Sequence, residues 1–175
     1  MKLESVLERT METRGRVIAI VRNEETGLYR VHETKNIITD AGDIYYAQLA
    51  AGETPTNDFN ALELGDSSSS APGKSSTTDS INLIAGTTKT VKSGYPQTND
   101  ADADNTGDGP DVVTWTFEYA AGDFNSADIA DGIICVSGHG AAAPVLTHFE
   151  FSGGSFEKTA NDTLKVIVNH TFNGV

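Results

Sequence analysis

The segment VVTWTFEYA, residues 112–120, constrains the fold more than any other stretch, because its large apolar side chains fall on every second position. Successive side chains of an extended chain point to opposite faces, which puts Val113, Trp115, Phe117 and Tyr119 on one side and Thr114, Thr116 and Glu118 on the other. The pattern predicts a strand with one face in a core and the other wetted. Other segments repeat the theme. RVIAIVR (16–22) is apolar on both faces and β-branched, and the NEETG that follows turns it into LYRVHET, a predicted hairpin with an internal first strand. ALELG, GIICVSG, PVLTHFEFSG and DTLKVIVNHTF add further strands, the last alternating Leu164, Val166 and Val168 with Lys165, Asn169 and Thr171.

One segment changes period. In KNIITDAGDIYYAQLAAGE, Asp40 is the expected N-cap with Asp43 at the third position, Ala41, Ile44, Tyr45 and Leu49 share a stripe, and Gly52 closes the helix. The serine-rich DSSSSAPGKSSTTDS reads as a polar surface loop that buries nothing, and TDSINLIAG as one helical turn. Near the start, SVLERTMETRGR has Val6, Leu7 and Met11 on one side, too few apolar contacts for a helix without a partner surface. These elements predict a mainly β protein: an antiparallel β-sandwich, jelly-roll-like, with one α-helix and an N-terminal arm. The expected organisation is an arm over 1–15 and a single domain over 16–175, with long loops at 66–80 and 95–111.

With 175 residues, the chain suits one domain with a core of its own. No apolar run reaches the ~20 residues of a membrane helix, and MKLESVLERTMETRGR lacks the apolar core of a secretory signal, so the expectation is a soluble chain made in the cytosol, with no membrane partner. Its one cysteine, Cys135, excludes an internal disulfide. The net charge of −13 argues against a nucleic-acid partner. That charge is segregated: residues 1–35 carry seven Lys or Arg against six Glu, a net +1, whereas 36–175 carry five against nineteen acids, a net −14.

The order of segments resembles small virion structural proteins of tailed bacteriophages, the decoration, head-fibre and tail-fibre-like group. The likeness is carried by an N-terminal hairpin, KNIITDAG leading into a helix, LELGD before a Ser, Pro and Gly loop, VTWTFEYAAGDFN, and a closing FEKTANDTLKVIVNHTF. It covers most of the chain from about Arg16, and its motifs are structural punctuation. LGD stands where the group has Gly-Thr-Gly, and the acidic segment before the central strand looks like an insertion. The resemblance implies a virion location after synthesis in the host cytoplasm. It implies a non-enzymatic role, capsid decoration or cement being favoured, and partners among the major capsid protein or other virion proteins. Self-association, a trimer foremost, belongs to the same expectation. Val6, Leu7 and Met11 of the arm and Val17, Ile18 and Ile20 of the first strand are the expected assembly residues. The alternatives are a tail- or fibre-associated protein and a calcium-dependent module that binds carbohydrate or a host surface.

The acidic segment NDADADNTGDGPD (99–111) supplies the calcium reading. A twelve-residue calcium loop takes oxygen ligands at its positions 1, 3, 5, 7, 9 and 12, and counting from Asp100 gives Asp100, Asp102, Asp104, the Thr106 carbonyl, Asp108 and Asp111. Asn105 replaces the usual Gly, Asp111 replaces the usual Glu, and no helices flank the segment; these departures weaken the match and favour an exposed acidic loop over a calcium site. Cys135 and His139, four apart in CVSGHG, are not expected to face each other as nucleophile and base. His32, His148 and His170 lie on separate strands and read as three independent histidines. No nucleophile elbow, phosphate-cradling loop or HExxH helix occurs, so no catalytic residue is expected.

Overall fold

The computed structural model describes residues 12–99 and 109–173. The protein is mainly β, with its antiparallel strands in a near-closed sandwich- or barrel-like arrangement and one α-helix. In chain order the elements are β1 (Glu12–Asn23), β2 (Tyr29–Ile38), α1 (Asp40–Ala50), β3 (Ala61–Gly65), a 3-10 turn (Thr78–Ser80), β4 (Lys89–Thr90), β5 (Val112–Tyr119), β6 (Ser126–Ile129), β7 (Asp131–Cys135), β8 (Thr147–Glu150), β9 (Phe156–Lys158) and β10 (Asp162–Asn173). Eight strands form one sheet in the order β4-β3-β7-β8-β2-β1-β10-β5, and β6 pairs with β9.

The predicted hairpin is β1–β2, and its turn is set by Asn23. The Asn23 side-chain oxygen accepts from the backbone N–H of Thr26 at 2.9 Å, and Gly27 takes the positive φ of 70° that a side chain would resist. β1 is internal, as its two-faced apolar sequence requires, with β2 on one side and β10 on the other. It begins at Glu12, opposite Asn173, so residues 12–15 belong to the sheet and not to an arm.

The edges of the sheet approach each other through residues 91–97. The Val91 N–H donates to Asn60 O beside β3, and the Lys92 N–H donates to Thr116 O of β5, both at 2.8 Å. Gln97 and Thr114 exchange backbone hydrogen bonds farther along β5. Closure of this kind removes the unpaired edge that an open sheet would present.

Register places Val17, Ala19 and Val21 opposite Val168, Val166 and Leu164, which in turn face Trp115, Phe117 and Tyr119. These side chains fill the interior with Leu62, Leu64, Ile134 and Phe149. The aromatic alternation of β5 is therefore core, as its period predicts. Its other face is wetted at Glu118, as expected, but Thr114 and Thr116 are not: each is 1% exposed, and they lie in register with Asn169 and Ile167. Two hydroxyls in alternation cannot distinguish solvent from a second buried layer in which Thr114 Oγ1 donates to Asn169 Oδ1 at 2.9 Å.

α1 plugs one end of the interior with Ala41, Tyr45 and Tyr46. Its N-cap is Thr39 and not Asp40: the Thr39 hydroxyl accepts from the Gly42 N–H at 3.1 Å and donates to Val145 O. Ile44 and Leu49 of the expected stripe point outward and remain exposed. The inward position between the aromatic residues and the cap is Gly42, where a Cβ would lie 2.2 Å from Leu146 O. Backbone contact has replaced a side-chain stripe there. Gly52 ends the helix with φ at 73°, as expected. The strands missing from the sequence reading, β4, β6 and β9, have two to four residues each and are too short to display a period.

Candidate functional site

The outward faces of β3, β7 and β8 carry an unusual load of polar side chains for a buried surface. Register puts Glu63 beside Ile133 and Ile133 beside His148, while Asp131 and Cys135 share the same face of β7. Glu63, Asp131, Cys135 and His148 are all nearly or fully buried. The cover is the serine-rich segment with its 3-10 turn, together with the loop after β7. Ile81 and Val145 from these loops pack with Ala61, Ile133 and Cys135 into a small second core. The serine-rich segment thus does bury residues, Thr78 among them, because its hydroxyls supply partners to the polar face below.

Two clusters make that connection. In the first, Ser76 Oγ lies 2.8 Å from His148 Nδ1, and His148 Nε2 lies 3.3 Å from Asp131 Oδ2. Hydroxyl, imidazole and carboxylate are in line, but the hydroxyl meets Nδ1 and the acid meets Nε2, the reverse of the serine-hydrolase order. Ser76 Oγ also accepts from the Gly73 N–H at 3.0 Å. His148 has no accessible surface, and burial raises the Asp131 carboxyl above its ordinary value despite the imidazole beside it. Chemically this chain ties the loop to the sheet.

In the second cluster, ligand atoms of Glu63, Cys135 and His139 all lie within 4.8 Å of one another. The expectation that Cys135 and His139 would face apart is corrected here: the turn after β7 folds His139 back over the strand. The signal missed by sequence reading was Glu63, a carboxylate inside the apolar ALELG strand, whose partner had to come from elsewhere. His139 Nε2 stands 3.0 Å from Glu63 Oε2, and Nδ1 stands 2.8 Å from Gly140 O. The Thr88 hydroxyl donates to Glu63 Oε1 at 2.8 Å. Burial works to lower the His139 imidazole, but the Gly140 carbonyl and the Glu63 carboxylate outweigh it and raise the net value. Burial, with Glu63 adding to it, pushes the Cys135 thiol up to about 12. The protein alone therefore holds Cys135 as a neutral thiol, which is not a nucleophile in that state.

The remaining histidines separate, as expected. His32 stacks on Phe156 at 4.1 Å between ring centroids. His170 is fully buried under α1, with Nδ1 at 2.6 Å from Tyr46 OH and Nε2 at 2.7 Å from Asn36 Nδ2. Trp115 Nε1–H donates to the same Tyr46 hydroxyl at 3.1 Å.

The expected assembly residues divide. Val6, Leu7 and Met11 lie outside the described residues. Val17 is part of the interior, and Ile18 is buried on the opposite face of β1. Ile20, half-buried, is opposite Val31 on the outer face of the hairpin, where Val31 and Tyr29 are 60% and 63% exposed. Beside them opens a cleft of about 460 Å³ lined by Ile20, Arg22, Tyr29, Lys89, Glu118 and Lys165, among others. Of the calcium ligands expected, Asp100, Asp102, Asp104, Thr106 and Asp108 lie outside the described residues. Asp111 is described, and its carbonyl accepts from the Phe172 N–H at 2.8 Å. Among the described residues no helix is long and apolar enough to cross a membrane. No family model, curated protein or solved structure matches the chain.

Proposed function

We propose that the chain is a non-enzymatic structural protein of a bacteriophage virion, a capsid decoration protein held to its neighbours by its N-terminal region. The observation that carries this reading is the apolar surface of the β1–β2 hairpin. Leu28, Tyr29 and Val31 are 69%, 63% and 60% exposed, the three highest values among the exposed large apolar side chains of the described residues. An apolar strip on a paired ribbon, beside an open cleft, suits protein docking. The hairpin also follows directly on the arm residues that lack an apolar partner in their own segment. Repetition of such a contact over a symmetric particle would turn a modest affinity into stable attachment.

Particles lacking this protein provide the test. They are mixed with the full chain, with a chain lacking residues 1–11, which leaves β1 complete, and with Tyr29→Ser/Val31→Ser. Both altered chains should keep the strand-rich circular dichroism of the full chain and lose particle occupancy by at least tenfold. Full occupancy by both would overturn the reading.

A further inference from the structure

The Glu63, Cys135 and His139 cluster is bound up with no part of the docking surface, and its chemistry is specific. We propose that these three residues form a binding site for a thiophilic divalent cation of the zinc class. The donor set is one sulfur, one nitrogen and one oxygen, drawn from β3, the end of β7 and the turn after it. A tetrahedral zinc with bonds of about 2.0–2.3 Å separates its ligand atoms by roughly 3.3–3.7 Å. The three atoms are already within 4.8 Å of one another, and the Glu63–His139 pair at 3.0 Å has to open only slightly.

The surroundings of the donors carry the inference further than their proximity does. His139 Nδ1 is held on Gly140 O, the outer hydrogen bond that turns the Nε2 lone pair of a ligating histidine toward a metal. Glu63 Oε1 is held by the Thr88 hydroxyl, while Oε2 faces His139. Both orienting bonds are in place without an ion. Binding through a thiolate and a neutral imidazole makes the affinity fall as pH falls, because protons compete for both ligands. A water completes the fourth position on the side where His139 retains 18% side-chain exposure. Calcium, which takes six to eight oxygen ligands, does not suit a thiol-bearing set of three.

Cobalt(II) titration of the full chain is the direct test. A tetrahedral visible spectrum with a near-ultraviolet sulfur-to-cobalt band should develop to one equivalent and be bleached by zinc. Cys135→Ser should lose the sulfur band. Thr88→Ala, which keeps all three ligands, should weaken binding about tenfold. The absence of a sulfur band in the unaltered chain, or a zinc affinity that is the same in Cys135→Ser and Thr88→Ala as in the unaltered chain, would overturn the proposal. Should Cys135→Ser fail to fold, the sulfur-to-cobalt band of the unaltered chain, saturating at one equivalent and bleached by zinc, gives the same decision. Particle occupancy, which tests the docking role, is unaffected by either result.

Discussion

Acidification should destabilise this protein through His170 well before its carboxylates are protonated. The ring is completely buried, and Asn36 Nδ2 donates to its Nε2 while Nδ1–H is directed at the Tyr46 hydroxyl, which also accepts from Trp115. Protonation would place an N–H against the Asn36 amide donor in a site without water access. Burial accordingly lowers the imidazole from 6.5 to about 3. The unfolded chain therefore takes up the proton first, and stability that is fully present above 6.5 is lost as pH falls from there toward 3. Moving from about pH 7 to about pH 5 crosses some 1.5 units of that window, a loss of about 2 kcal/mol from this residue alone. Urea unfolding at the two pH values measures it, with His170→Asn as the comparison. The variant starts lower at neutral pH because Tyr46 loses a partner, but its loss on acidification should be about 2 kcal/mol smaller. His32, also lowered by burial and by Arg30, is present in both chains and cancels. Equal losses in the two proteins would refute the reasoning, as would a His170 ring resonance that titrates in the folded protein near an ordinary midpoint.

Two glycine substitutions test the packing on either side of that network. Gly42→Ala would stabilise an open helix by about 1 kcal/mol, but here the new Cβ meets Leu146 O at 2.2 Å, so calorimetry should show a net loss of about 1–3 kcal/mol. Gly15→Ala puts a Cβ 1.2 Å from Asn36 Oδ1 and must expel the amide that supports His170. It should cost about 1–3 kcal/mol and slow neither chain synthesis nor strand formation, a thermal melt with unchanged far-ultraviolet dichroism being the expected record.

The alternation of Trp115, Phe117 and Tyr119 was sufficient to place an inward face, because a strand has only two sides and three aromatics cannot all be left in water. The β1–β2 hairpin was equally legible, since its turn chemistry is local to Asn23 and Gly27. Thr114 and Thr116 could not be assigned from the strand itself, as a hydroxyl is content with water or with a buried partner such as Asn169. The stripe of α1 misled for a related reason: Gly42 makes the helix's closest approach with backbone, which leaves no apolar letter to read. Its cap is Thr39 because its hydroxyl reaches both the Gly42 N–H and a loop carbonyl, and the second of these partners lies more than a hundred residues away.

By itself, then, the order of residues determined the antiparallel β class, the single long helix and the internal first strand, all of which follow from side-chain period and short-range turn chemistry. Tertiary structure alone decided that the serine-rich loop would cover β7 and β8, and that Glu63, Cys135 and His139 would meet. Ser76 and His148 are 72 residues apart in sequence and Glu63 and His139 are 76 apart, and only pairing of β3 with β7 and the path of the loops bring such atoms within bonding distance.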